Sequence, residues 1–169
     1  MSAIDERPAD SRRKSTQDGD RLSVGDATRM LSLPQAPYAD AVLAELDAVA
    51  MPPAALEVGL RDLRSPELFM RFVWPVGSNL LDDAVRPVGL TLAWSSVTGW
   101  TAHNADGAAE LLNVDALADP RLLALAALDL AEQDLTSVWS PPDGTDGRWS
   151  EAVYLDIALH RFEEREVTR

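Results

Sequence analysis

From Leu56 to His103 the apolar residues recur at every second position, in runs too short and too sharply punctuated for helices. Leu56, Val58 and Leu60 alternate with Glu57, Gly59 and Arg61. After a turn at Arg64-Ser65-Pro66-Glu67, a second run places Leu68, Met70, Phe72 and Trp74 on one face and ends at Pro75. A period of two sends alternate side chains to opposite sides of a strand, so each run has one face to bury and the two read as a hairpin. Leu90 to Trp94 and Trp100 to His103 make a second pair around Ser96-Val97-Thr98-Gly99, where Gly99 suits the left-handed position of a turn with a bulge. An antiparallel meander is predicted, with a short helical turn at Ser78–Val85 between the hairpins and Arg86-Pro87 closing it.

Around this core the period changes to that of a helix. Pro37 sits well in a first turn, and Tyr38, Val42, Leu46 and Val49 form one stripe of a helix to about Ala50, which Met51-Pro52-Pro53 stops. Asp119-Pro120 pairs a capping carboxylate with a first-turn proline, and Leu122 to Leu128 is apolar on every side, so that helix is expected to be buried across the sheet. Leu135–Trp149 reads as a loop built on Pro141-Pro142-Asp143-Gly144, with a short strand at Thr136–Trp139. Ser150 is placed to cap a last helix that buries Ala152, Leu155, Ala158, Leu159 and Phe162, with Trp149 and Tyr154 set as a hydrophobic staple. The fold class is therefore α+β: an antiparallel sheet of four or five strands packed against three helices, in a single domain over residues 35–169. Residues 1–34 read as an N-terminal tail, polar and disordered to about residue 23, with a short helical turn at Val24–Leu33.

The formal charge of −13 belongs to the domain, because the first 34 residues hold six acids and six bases. Between Pro87 and Gly147 nine carboxylates face one cation, Arg121. Such a surface repels phosphate backbones and anionic lipid and attracts basic partners. The longest apolar run ends at Asp129 and is far too short to cross a bilayer. Absence of cysteine removes disulfides, thiolate zinc sites and cysteine nucleophiles together, and suits a reducing cytoplasm. The expectation is a cytoplasmic chain with a basic protein partner, no direct nucleic-acid binding and no membrane association.

No group of residues forms a catalytic, metal or cofactor motif. Asp82 and Asp83 are adjacent, and neighbours on a helix diverge by about 100 degrees instead of converging on one substrate. His160, with Asp156 and Glu164 at four-residue spacings, has the ligand types for a divalent ion but reads as a solvated helix face. Asp143-Gly144-Thr145-Asp146-Gly147 departs from a calcium loop, with Gly147 at the fifth place and Tyr154 at the closing glutamate place. His103 has Ser95, Ser96 and Thr101 nearby in sequence but no nucleophile elbow or oxyanion-hole glycines. Five tryptophans are the more informative residues. Indoles most often pack in a core with one polar edge kept wet, yet an aromatic patch rimmed by acids is also how protein interfaces are built. Trp94, Trp100, His103 and Trp139 are the candidate interaction patch, with Trp94 and Trp100 expected to be exposed beside the hairpin turn.

The segment Leu92-Ala-Trp-Ser-Ser-Val-Thr-Gly-Trp100 and the later Leu112-Asn-Val-Asp-Ala-Leu-Ala-Asp-Pro120 entering an Ala/Leu helix resemble small actinobacterial proteins grouped as a domain of unknown function. The resemblance spans roughly Tyr38 to Glu132. It implies a compact domain and no particular activity. Together these features favour a non-catalytic, acidic interaction module. Two other classes remain distinct: an inhibitor that imitates nucleic acid, which needs carboxylates ranked along one face, and an enzyme with an unfamiliar site, which needs a titratable group in a concave pocket.

Overall fold

The computed structural model describes residues 33–62, 66–136, 138–145 and 147–167. The tail expected at residues 1–34 lies outside them up to Ser32, as do positions 63–65 of the first turn. In chain order the elements are α1 (Ala36–Ala48), β1 (Ala55–Asp62), β2 (Pro66–Trp74), β3 (Leu90–Ser95), β4 (Gly99–His103), β5 (Ala109–Leu111), α2 (Pro120–Glu132) and α3 (Ala152–Val167). The five strands form one antiparallel sheet in the order of the sequence. The α+β class and the meander thus follow the alternation in the sequence.

Register explains which face is buried. Leu56 pairs with Phe72 and Phe72 with Leu92, which in turn pairs with Ala102; Met70 pairs with Trp94 and Trp94 with Trp100. These rows lie on one side of the sheet, and Leu68, Met70, Phe72, Trp74, Leu90, Leu92, Trp94, Trp100 and Ala102 are all buried there. The helices complete the same core. Tyr38, Ala39, Val42 and Leu46 enter from α1, and Leu122, Leu123, Ala124, Ala126, Ala127, Leu130 and Ala131 from α2. Burying an aromatic or a branched aliphatic side chain contributes about 1.5–3 kcal/mol, so this shared face supplies most of the driving force for folding.

Local chemistry sets the boundaries. Pro37 lies in the first turn of α1, as its fixed φ favours. Asp119 caps α2, its carboxylate accepting from the Arg121 N–H at 2.9 Å. Gly99 has a φ of 73°, the left-handed value expected at the end of the β3–β4 turn. In that turn the buried Ser95 hydroxyl accepts from the N–H groups of Val97 (3.0 Å) and Thr98 (3.1 Å).

The structure departs from the sequence reading at four places. A fifth strand, β5, lies beyond His103, where three residues are too few to show alternation. Ser78–Val85 is a series of turns, and its Leu81 and Val85 are buried. Thr136–Trp139 is not a strand among its described positions; instead Trp139 is tied by its N–H to Glu110 Oε1 and by its carbonyl to the Asn113 N–H. The staple is not formed, because Trp149 stacks on Tyr38 at a ring separation of 4.9 Å while Tyr154 is exposed.

Candidate functional site

The proposed aromatic patch is divided by the sheet. Trp94 and Trp100 are 2% and 1% exposed, and Trp139 is 7% exposed, so the expectation that the first two form an open surface is corrected. Each indole N–H has found an internal acceptor, which removes the reason to keep an edge wet. Trp94 Nε1 donates to Ala116 O at 2.7 Å and Trp139 Nε1 to Asp129 Oδ2 at 2.8 Å. Trp100 Nε1 donates to the Tyr38 hydroxyl at 3.2 Å, and that hydroxyl donates to Ala118 O at 2.6 Å. Burial pushes the Tyr38 phenol well above its usual range, keeping it a neutral donor at any physiological pH. The segment from Leu112 to Ala118 is therefore fastened over the β3–β4 hairpin by indole and phenol protons. Parity along the strands already held this answer, since Trp94 falls in step with Leu90 and Leu92.

His103 falls on the opposite parity and on the opposite face. There the rows Thr91–His103–Ala109 and Glu57–Arg71–Ala93–Thr101–Leu111 cross the sheet. Among the described residues, this face bears a groove of about 850 Å³ lined by Arg61, Arg71, Ala93, Thr101, His103 and Leu111, among others. The two arginines are held in place. Arg71 Nη1 donates to Glu57 Oε2 at 3.2 Å; the Arg61 guanidinium lies 4.4 Å above the centre of the Phe69 ring and 3.9 Å from Glu67. Phe69 itself leans across Gly59, coming within 2.9 Å of where a Cβ would be. Sequence reasoning missed Arg61 and Arg71 as site residues. They lie 32 or more positions from His103, and only the pairing register brings the three together.

His103 Nε2 is 2.7 Å from Thr101 Oγ1, and the Thr101 hydroxyl donates to Ala93 O at 3.4 Å. A hydroxyl has one proton. Whichever of Oγ1 and Nε2 carries the proton between them, Nε2 is the ring nitrogen engaged by Thr101, and Nδ1 has no hydrogen-bond partner among the described residues. Partial burial, then the charge of Arg71 and that of Arg61, hold the imidazole below the ordinary histidine range. With the folded pKa depressed, the unfolded chain binds the extra proton first, so this residue makes stability fall as pH drops below the usual histidine value. We expect wild-type protein to lose urea resistance relative to His103→Gln between pH 7.5 and 5.5. A difference independent of pH would show that the ring feels no such field.

The carboxylates gather elsewhere. Asp129, Glu132 and Asp134 are exposed at the C-terminal end of α2, whose last turn contains no cation. The Asp82 N–H donates to Ala131 O at 2.9 Å, which brings the exposed Asp82-Asp83 pair to the same end. Asp82 and Asp83 do not act as a pair: Asp82 Oδ1 accepts from the Asp83 N–H, and the Asp83 carboxylate accepts from Arg86 at 2.8 Å. Arg86 is further committed to the carbonyls of Ser78 and Leu81. Negative charge at the negative end of a helix dipole is unfavourable by about 0.3–1 kcal/mol per group.

The remaining candidates stay apart. His160 Nε2 lies 3.4 Å from Glu164, but Asp156 is turned to Arg148, which also binds Asp115 at 2.9 Å. No group of three or more metal-binding side chains occurs among the described residues. No helix among them is long and apolar enough to cross a membrane. Comparison with family models, with curated proteins and with solved structures gave no match.

Proposed function

We propose that this chain is a non-catalytic, acidic interaction module of the cytoplasm that takes a basic protein partner, and no nucleic acid, at the C-terminal end of α2. One observation carries the reading: the exposed carboxylates of Asp129, Glu132 and Asp134, joined by Asp82, sit where the dipole of α2 opposes them, and among the described residues only Asp129, from Trp139, and Asp82, from the Asp83 N–H, receive an internal hydrogen bond there. A cationic partner would relieve that opposition. The charge of −13 adds long-range attraction for such a partner and repels polyanions. The lack of cysteine supports the cytoplasmic setting. The resemblance of Leu92–Trp100 and Leu112–Pro120 to small actinobacterial proteins fits a compact module of this kind.

The test uses opposite signs. Glu132→Gln with Asp134→Asn is expected to stabilise the free protein by ~0.6–2 kcal/mol, by removing two charges from the helix end. The same variant should weaken binding of an arginine-rich peptide, and wild-type binding should fall steeply between low and high salt. Salt-insensitive binding, or a variant that binds as the wild type does, would remove the proposal.

A further inference from the structure

We propose that the groove on the face of the sheet opposite the buried aromatic rows binds a small organic acid with a single negative charge, its carboxylate at Arg71 and His103 and its apolar body along Ala93 and Leu111. This site is separate from the acidic end of α2 and does not depend on it. Its volume of about 850 Å³ lies in the range of ligand pockets. Its floor is low because the central side chains on this face, Ala93, Ser95 and Thr101, are small. Its lining includes Leu111 from β5 and, from β1, Arg61, which the Phe69 ring beneath it supports.

Charge decides the class of ligand. The guanidinia of Arg61 and Arg71 each face one internal carboxylate, Glu67 at 3.9 Å and Glu57 at 3.2 Å, so neither is offered as a full free charge. Glu57 is 51% exposed, and its pair with Arg71 is worth little in water, so Arg71 has donors left to offer. His103 is the one further group, and partial burial, then the charges of Arg71 and Arg61, disfavour its protonated form. A carboxylate arriving at Arg71 offsets the two arginine charges, and the ring then takes a proton from solvent more readily. The finished site then holds one incoming negative charge against one new positive charge. A dianion, such as inorganic phosphate at about pH 7.5, would exceed this, and would also approach against the net charge of the whole chain. The charged groups around the ring are Arg61 from β1, Arg71 and Glu67 from β2 and Glu57 from β1; the neighbouring positions of β3 and β5 on this face, Thr91, Ala93, Ala109 and Leu111, are uncharged.

The experiment is an NMR titration of the full chain with benzoate, benzamide and inorganic phosphate, following the His103 imidazole in a His160→Gln background. Benzoate is expected to shift the His103 and Thr101 signals saturably, with a dissociation constant of roughly 1 mM for so small a probe. It should move the His103 titration to higher pH, so its binding tightens as pH falls from 7.5 to 5.5. Benzamide, which has the same shape without the charge, and phosphate at about pH 7.5, where it is mainly a dianion, should each bind at least ~10-fold more weakly. Arg71→Gln should reduce benzoate affinity ~10-fold, and His103→Gln should abolish its pH dependence. Should Arg71→Gln fail to fold, the benzoate and benzamide comparison on the wild-type chain and the pH dependence of His103→Gln still decide the assignment. Equal binding of benzamide or phosphate, or benzoate shifts located away from β2 and β4, would overturn the assignment.

Discussion

Trp100→Ala is expected to lower stability by about 3–5 kcal/mol, the range for removing a buried large aromatic side chain. The indole is 1% exposed, stacks with Phe72 at 6.1 Å and meets Tyr38 edge-on at 6.0 Å. Its loss also strips the Tyr38 hydroxyl of a donor inside the core, where an unmet polar group costs about 1–3 kcal/mol. For a domain of this size the midpoint should fall by roughly 10 °C or more. Trp100→Phe keeps most of the volume and isolates the hydrogen bond, so its cost should be clearly smaller. Thermal unfolding followed by circular dichroism measures both. A Trp100→Ala protein within 1 kcal/mol of wild type would mean the ring is not in the core, and would restore it as a surface anchor.

The second large effect concerns one glycine. Gly89→Ala should be destabilising by about 1–2 kcal/mol from the left-handed backbone alone, and further because the new Cβ would lie 3.0 Å from both Trp74 O and Val76 N. These are backbone atoms at the end of β2 and cannot swing aside. Gly77 is the control: its φ is 84°, and nothing lies within 4 Å of an added Cβ, so Gly77→Ala should cost only the ~1–2 kcal/mol of the conformation. Urea unfolding of the two variants separates steric cost from conformational cost. Equal losses would show that the approach of the segment 74–76 to Gly89 is not a tight one.

What the sequence made legible was whatever depends on one face of one element. Leu68, Met70, Phe72 and Trp74 announce a half-buried strand because burial on one side writes a period of two, and the Asp119-Pro120 start of α2 is written in its own cap. β5 left no such trace, since two of its three residues are exposed and it is held by pairing to β4. Trp94 and Trp100 are expected to be exposed because they flank the hairpin turn, whereas parity with Leu92 and Ala102 places both inside. The groove was not legible at all. Arg61, Arg71 and His103 come from three strands, and their meeting is a property of register, which no local pattern encodes.

The consecutive strand order has a kinetic corollary. Every strand pairs with its predecessor in the chain, so the pairings β1–β2, β3–β4 and β4–β5 close short loops, only β2–β3 spanning the longer connection 75–89, and such near-neighbour contacts form early and fast. The Tyr38 hydroxyl works against that schedule, because its two partners lie 62 and 80 positions further along. A nascent chain would therefore zip its ribbon from β1 to β5 while α1 waits, and the last event of folding would be the arrival of Ala118 that lets α1 settle onto an already assembled platform.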